Sequence, residues 1–245
     1  MYSEMEARKL IQDILANTNT LNPLELARGA AKIQALKQLN EAISKCNVCN
    51  VNSKHKTIAF GNPNASVMII GDCLTELQSM NNELSILAPY EKTPERESFT
   101  RLFHDWNINP GALFWINTVN CAVTWNGSYR CPNSSEIQKC SVFMKNAIDI
   151  IHPSVIILLG AIALSSFSNE PMNKAHGKWI HAYTIPAMPV YSPTYLSQLA
   201  EIQDPDIVKT MKIDMINDLK SVFSFINSTY PNSNVFLKRK EEINL

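Results

Sequence analysis

With 245 residues, 45% of them apolar and 18% charged, the chain has the composition of an ordinary globular protein able to bury a substantial core. Lys and Arg (22) balance Asp and Glu (22) to a formal net charge of zero, which excludes attraction to nucleic acid or anionic membrane through a global positive field; such contacts must come from local donors. The longest apolar run, Val155–Leu164 with Gly160 inside it, is too short to span a bilayer. The charged N-terminus carries no secretory pattern, so the six cysteines are expected as reduced cytoplasmic thiols or ligands rather than as disulfides.

Residues 3–16 and 23–46 read as two amphipathic helices. In the second, Leu24, Leu26, Ala30, Ile33, Leu36, Leu39 and Ile43 recur at helical spacing. Asn22-Pro23 supplies a cap and a first-turn proline. A polar knuckle, Cys46–Ser53, leads into the basic run Lys54-His55-Lys56. Val67–Ile70 is a short buried strand bounded by Pro63-Asn64 and Gly71. Pro94–Trp106 is a helix with Phe99, Leu102, Phe103 and Trp106 on one face. Leu113–Val119 is a second strand, and Ser134–Ile151 a helix that carries Cys140 and ends at His152. Val155–Leu159 and Ala187–Val190 are the third and fourth strands. Residues 205–229 form a last helix, and the tail from Pro231 is polar and expected to be loose.

Strands alternating with helices specify an α/β fold with a mostly parallel sheet covered on both faces. Such folds bind ligands beyond the carboxyl ends of the strands. Three of those ends, Gly71-Asp72-Cys73, Asn117 and Tyr191-Ser192-Pro193, are expected to open onto one edge.

Cys46 and Cys49 form a tight Cys-x2-Cys pair, answered by the single residues Cys121 and Cys140 around a Pro/Ser-containing loop. Thiolates so spaced suit either zinc or an iron–sulfur cluster. Zinc ribbons more often pair two tight knuckles, which tilts the choice towards iron–sulfur. Free cysteine also packs well as a small hydrophobe. That accounts for Cys73 at the end of an apolar run, but poorly for Cys46-Asn47-Val48-Cys49 in a polar stretch. Cys131 is a sixth thiol, close enough in sequence to compete as a ligand.

These motifs stand in a particular order. Cys46-x2-Cys49 precedes Lys56-Thr57-Ile58-Ala59-Phe60-Gly61-Asn62-Pro63-Asn64-Ala65, then Gly71-Asp72, then Ile116-Asn117-Thr118-Val119-Asn120-Cys121. Ser135-Glu136-Ile137, Cys140, His152-Pro153-Ser154-Val155, Gly177-Lys178-Trp179 and Pro189-Val190-Tyr191-Ser192-Pro193-Thr194-Tyr195-Leu196 follow. This collinear set, over residues 45–200, resembles the iron–sulfur uracil-DNA glycosylases called family four. The resemblance implies a three-layer α/β/α fold with a four-stranded parallel sheet. It divides the chain into an N-terminal helical extension (1–45), a glycosylase-like domain (46–229) and a flexible C-terminal tail (230–245). It also implies a structural [4Fe–4S] cluster on Cys46, Cys49, Cys121 and Cys140, with zinc as the alternative and Cys131 as a spare thiol.

A glycosylase takes a base out of the stack, reads its edge, and stabilises a sugar that turns cationic as the base leaves. By resemblance Asn117 is the base reader, its amide donating to O4 and accepting from N3–H of a uracil-like edge; a turn-forming Asn is the competing reading. Asp72 stands where the family has Glu, as a carboxylate that positions water and favours positive charge on the sugar. The family's following Ala-Pro-Gly is replaced by Cys73-Leu74-Thr75, so Cys73 belongs to an altered base-binding wall. Tyr90, after Pro89, falls near the ring on which the flipped base stacks. Ser192 stands where the family has the His that donates to the leaving base; a hydroxyl also donates, but it is shorter and uncharged, a difference worth roughly a few kcal/mol. His176 and Lys178 beside Gly177, and Arg130 at the end of the loop from Trp125, are candidate DNA contacts.

The expected function is excision of uracil or a modified pyrimidine from DNA, in repair or against modified foreign DNA. The alternative is a catalytically silent glycosylase-fold module that binds DNA or serves as a scaffold, for which Ser192 and the lost Ala-Pro-Gly speak. A zinc-stabilised α/β protein unrelated to DNA is the third reading.

Overall fold

The computed structural model describes residues 23–49, 56–74, 94–125, 128–231 and 233–237. The helix expected at 3–16 lies outside these residues, as does Tyr90. Four apolar runs form the centre of the sheet: β2 (Val67–Leu74), β3 (Leu113–Ala122), β6 (Val155–Leu159) and β8 (Ile185–Val190). They lie side by side in the order β3-β2-β6-β8, all parallel. Their side chains alternate between two cores. Val67, Ile69, Leu113, Trp115, Ile157 and Val190 enter one, while Met68, Ile70, Phe114, Ile116, Ile156 and Leu158 enter the other. Burial on both faces is why these strands read as nearly continuous apolar runs.

The four parallel strands are those expected, and two short antiparallel strands extend the sheet to six. β1 (Phe60–Gly61) pairs with β3 at one edge, and β7 (Ile180–Ala182) with β8 at the other. Strands of two and three residues carry no readable periodicity, and short edges of this kind resist pairing with another chain. A two-strand hairpin, β4 (Thr124–Trp125) with β5 (Ser128–Tyr129), stands apart from the sheet.

Helices cover both faces. On one lie α2 (Pro94–Asp105), α6 (Pro193–Leu199) and α7 (Pro205–Thr229), contributing Phe99, Phe103, Leu196, Met215, Leu219, Val222 and Phe223. On the other lie α1 (Pro23–Lys45), α3 (Ser134–Ile151), α4 (Ala161–Ser165) and α5 (Met172–Ala175). Helix α3 opens on a capping box: Asn133 accepts from the Glu136 N–H and Glu136 accepts from the Asn133 N–H. It closes at His152, in the left-handed region at φ 55°, immediately before Pro153.

Helix α1, expected to extend from the domain, is in its second half a wall of the core. Leu36, Leu39 and Ile43 are buried with Met144, Ile148 and Ile151 of α3. Lys32 Nζ donates to the Ile151 carbonyl (2.9 Å) and to Pro63 O (3.2 Å), placing a cation on the last turn of α3. The Asn40 side chain pairs both backbone groups of Ala59, at 2.8 and 2.9 Å. Ile33, counted with the apolar stripe in the sequence, is instead 60% exposed.

Among the described residues of the tail, Val235 and Leu237 are joined to the body of the domain. Val235 is fully buried, its carbonyl accepts from Asn109 N (2.7 Å), and Leu237 N donates to Asn107 O (2.9 Å). One buried Val among polar residues is enough to anchor such a segment. No helix among the described residues is long and apolar enough to cross a membrane.

If α1 belongs to the core, Ile43→Ala should cost about 2–5 kcal/mol in urea unfolding. Ile33→Ala on the same helix should stay within about 0.5 kcal/mol of the parent protein. Equal and small effects at both positions would make α1 an appendage.

Candidate functional site

The parallel order brings the carboxyl ends of β2, β3, β6 and β8 to one edge. Gly71-Asp72-Cys73 lies in the last half of β2, and Tyr191-Ser192-Pro193 follows β8. Asn117, expected near the end of its strand, lies instead mid-way along β3, which runs on to Ala122. Pairing of β2 with β3 sets Gly71 opposite Asn117. Asn117 is 4% exposed, and its Nδ2 donates to Thr57 Oγ1 at 3.3 Å. The Thr57 main-chain N–H in turn donates to Asn120 O at 2.9 Å.

Asp72, next along β2, reaches across to the end of β6. Its Oδ1 accepts from Ala163 N at 2.8 Å, in the first turn of α4. The N-cap residue of that helix, Gly160, brings no side-chain acceptor of its own, so the strand supplies one. Gly160 has φ +107°, and a Cβ there would overlap the Asp72 carboxylate. Only glycine lets the carboxylate rest on this turn. Gly160 N also donates to Val190 O at 2.9 Å, joining the end of β6 to the segment that carries Ser192 two residues on.

Ser192 is the N-cap of α6, with Pro193 in the first turn; its Oγ accepts from Tyr195 N at 3.5 Å. Ser-Pro is itself a helix-start signal. Capping uses an acceptor lone pair, and a serine hydroxyl retains its O–H as a donor.

His176 is not a plain surface cation. Its Nδ1 lies 3.0 Å from Asp218 Oδ2, and its ring stands 4.7 Å from that of Tyr191, tilted by 35°. Asp218 is a buried carboxylate on α7; burial raises its pKa above the usual range, and the neighbouring His176 pulls it back down. Gly177, at φ +71°, brings the backbone so close to Asp218 that a Cβ there would sit 2.5 Å from Oδ1. Asp218 was missed in the sequence. Its signal was a carboxylate within the apolar positions Met215, Leu219 and Val222 of a long amphipathic helix. Lys178 is exposed.

Cys46, Cys49, Cys121 and Cys140 all line one cavity of about 240 Å³, together with Lys56, Asn120, Glu136 and Lys139. Neither Cys73 nor Cys131 lines it. Cys73 packs with Val119, Val123 and Cys140 in a small apolar cluster. Burial pushes its thiol up to about 12, with Asp72 next in effect. Cys131 is exposed. Burial also pushes Cys121 up to about 11, and raises Cys140 against the pull of the Asn120 N–H groups. Those groups are the main-chain N–H and Nδ2 of Asn120, at 3.4 and 3.7 Å from Cys140 Sγ. Lys56 bridges to Cys121 through the backbone, and its Nζ donates to Cys46 O and to Ser44 O, closing the end of α1 over the cavity.

Arg130 points to Glu136 rather than outward: Nη1–Oε2 is 2.9 Å and Nη2–Oε1 is 2.6 Å, a two-pronged pair. It locks the loop before α3 onto the capping box beside the thiol cavity. Asp218, Thr57, Asn120 and Glu136 are thus the residues of this region to which sequence reasoning assigned no role.

A doubly covered parallel sheet whose polar side chains gather at the carboxyl ends of its strands defines an α/β protein with its site at that edge. A sequence model described as the Uracil DNA glycosylase superfamily matches residues 58–220, and the chain belongs to that superfamily. It is 26% identical over 187 residues to a protein of Saccharolobus solfataricus named Type-4 uracil-DNA glycosylase, covering 71% of this chain and 80% of the relative. It is 25% identical over 166 residues to the protein of the same name from Thermotoga maritima, covering 64% and 81% respectively.

Hydrogen bonding to Arg130, above all, holds the Glu136 carboxyl below the ordinary glutamate range. A depressed acid stabilises the fold above its unfolded pKa and loses that contribution as pH falls through the folded value. Glu136→Gln should therefore cost about 1 kcal/mol at pH 7. Urea unfolding at about pH 3 should bring variant and parent together as Glu136 itself becomes neutral. A gap that does not change with pH would contradict the ion pair.

Proposed function

We propose that the protein is a DNA glycosylase that receives an extruded uracil or modified pyrimidine at the ends of β2, β3 and β8 and hydrolyses its N-glycosidic bond. Membership of the superfamily and the two relatives named Type-4 uracil-DNA glycosylase support the reaction class. The single observation that carries the reading is the buried Asn117 amide, held within β3 in register with Gly71, the residue before Asp72.

In this reading Asn117 receives the base edge, its Oδ1 accepting from N3–H and its amide donating to O4. Tyr90 and Cys73 belong to the walls around the base. As the bond to the sugar breaks, its electron pair stays on the base, and the Ser192 O–H donates to that developing anion. The Asp72 carboxylate favours the cationic sugar and holds the water that attacks it. Hydroxide equivalent adds to the sugar carbon, the remaining proton goes to the departing base, and an abasic site is left. His176 and Lys178 meet the phosphates of the bound strand. Arg130, engaged by Glu136, serves the thiol loop rather than DNA. The work is done where DNA is reached in the cytoplasm.

Cys46, Cys49, Cys121 and Cys140 are the residues that would hold a [4Fe–4S] cluster. The donor set fits: four thiols round one cavity, with N–H groups of Asn120 aimed at Cys140 and the cations Lys56 and Lys139 beside them. Asn120 Oδ1, buried, has no hydrogen-bond partner among the described residues, as suits a side chain turned with its donors towards sulfur. Zinc is the alternative for the same four thiols, and among the described residues no group of three or more His, Cys, Asp or Glu side chains is arranged, as they stand, to hold a metal ion. The cluster, when bound, supplies a rigid brace for the loops beside the base site.

A silent DNA-binding or scaffold module draws on one observation: Asp72 and Ser192 each cap a helix, and so have structural reasons to be present. Oligonucleotides carrying uracil or modified cytosines, treated with alkali after incubation, separate the two readings. The glycosylase predicts breaks at the altered base that fall about 100-fold or more in Asn117→Ala and in Asp72→Ala. Binding to every oligonucleotide without any break identifies the silent module.

A further inference from the structure

Thr57 links the thiol cavity to the base-reading amide, in a part of the molecule that the chemistry above leaves unused. It is 8% exposed, and both of its polar groups on this side are engaged. Its N–H donates to Asn120 O at 2.9 Å, and its Oγ1 accepts from Asn117 Nδ2 at 3.3 Å. Asn120 in turn directs its own N–H and Nδ2 at Cys140 Sγ. A continuous hydrogen-bonded path therefore runs from a cavity thiol through Asn120 and Thr57 to Asn117.

The Thr57 segment is held on both sides. Lys56 forms a β-bridge with Cys121, and Ala59 is gripped through both backbone groups by Asn40 of α1. In the arrangement present, Thr57 Oγ1 accepts from Nδ2, so the Asn117 amide stands with its Nδ2 end towards Thr57.

We infer that Thr57 is a positioning residue that fixes the orientation of the Asn117 amide, and thereby the choice between base edges, while tying that amide to the thiol centre. The inference rests on the glycosylase reading and adds a determinant of specificity to it. With Nδ2 held at Thr57, Oδ1 is turned to accept, which suits the N3–H donor of a uracil-type edge. A cytosine-type edge presents an unprotonated N3, and it would place two acceptors face to face. A rotated amide would erase that preference.

Thr57→Val keeps the shape and the backbone N–H to Asn120 but removes the acceptor; Thr57→Ser restores it. In Thr57→Val, excision of uracil should fall about tenfold, the worth of one hydrogen bond, and the ratio of uracil to cytosine-type excision should narrow. Thr57→Ser should recover both. Independently of activity, the Asn117 side-chain amide, assigned in NMR spectra by its loss in Asn117→Asp, should be protected from hydrogen exchange in the parent and in Thr57→Ser. It should be unprotected in Thr57→Val. Unchanged amide protection in Thr57→Val, or a Thr57→Ser protein that restores neither property, overturns the inference. A parent protein that excises no base while the amide responds as described refutes the glycosylase reading and leaves the clamp standing.

Discussion

Four cysteine side chains from three separate parts of the chain meet at one cavity, and the geometry of the strand-end site hangs from that convergence. Cys46 and Cys49 follow α1, Cys121 ends β3, and Cys140 lies in α3. Bringing them together obliges the end of α1 to close over the sheet, where Lys56 fastens it through the carbonyls of Ser44 and Cys46. The same closure lays Thr57 beside Asn117 and Asn120. A metal centre at that point would act as a cross-link between the chain segments that carry the four thiols.

Beyond the cavity, one device appears twice at the same edge of the sheet. Asp72 rests on Gly160 and Asp218 on Gly177, each glycine at a positive φ where a side chain would strike the carboxylate. In the first pair the strand's acid caps the neighbouring helix α4. In the second the helix's acid orients His176 against Tyr191, the residue before Ser192. Carboxylates withdrawn from water are costly without partners; half-buried Asp72 meets a backbone N–H and buried Asp218 an imidazole. An acid near the end of β2 and an aromatic ring just after β8 are thereby held in place.

The sheet was legible because β-branched apolar runs bounded by Gly and Pro leave few alternatives, and the four central strands and helices α3 and α7 fall at the expected places. What failed did so for physical reasons. The edge strands β1 and β7 exist through pairing with β3 and β8, a tertiary fact that two or three residues do not encode. Helix α1 reads as amphipathic, but periodicity alone does not say what its apolar stripe meets; only the packing on α3 makes it part of the core. The polar tail sequence likewise does not encode the burial of Val235 within a core cluster built by residues far earlier in the chain. At the candidate site, Asp72, Asn117, Ser192 and the four thiols are singled out by motif order alone, and the structure adds where each of them lies. Arg130 was read as a surface base because its partner, Glu136, was hidden in a capping-box pattern that sequence alone could have revealed.

Quantifying iron, acid-labile sulfide and zinc in protein purified without oxygen tests the central claim most directly. The account predicts brown protein with about four irons and four sulfides per chain, lost on replacing Cys46, Cys49, Cys121 or Cys140 by Ser and retained on replacing Cys73 or Cys131. Colourless protein whose six thiols all titrate freely, or one that carries a single zinc, would contradict it.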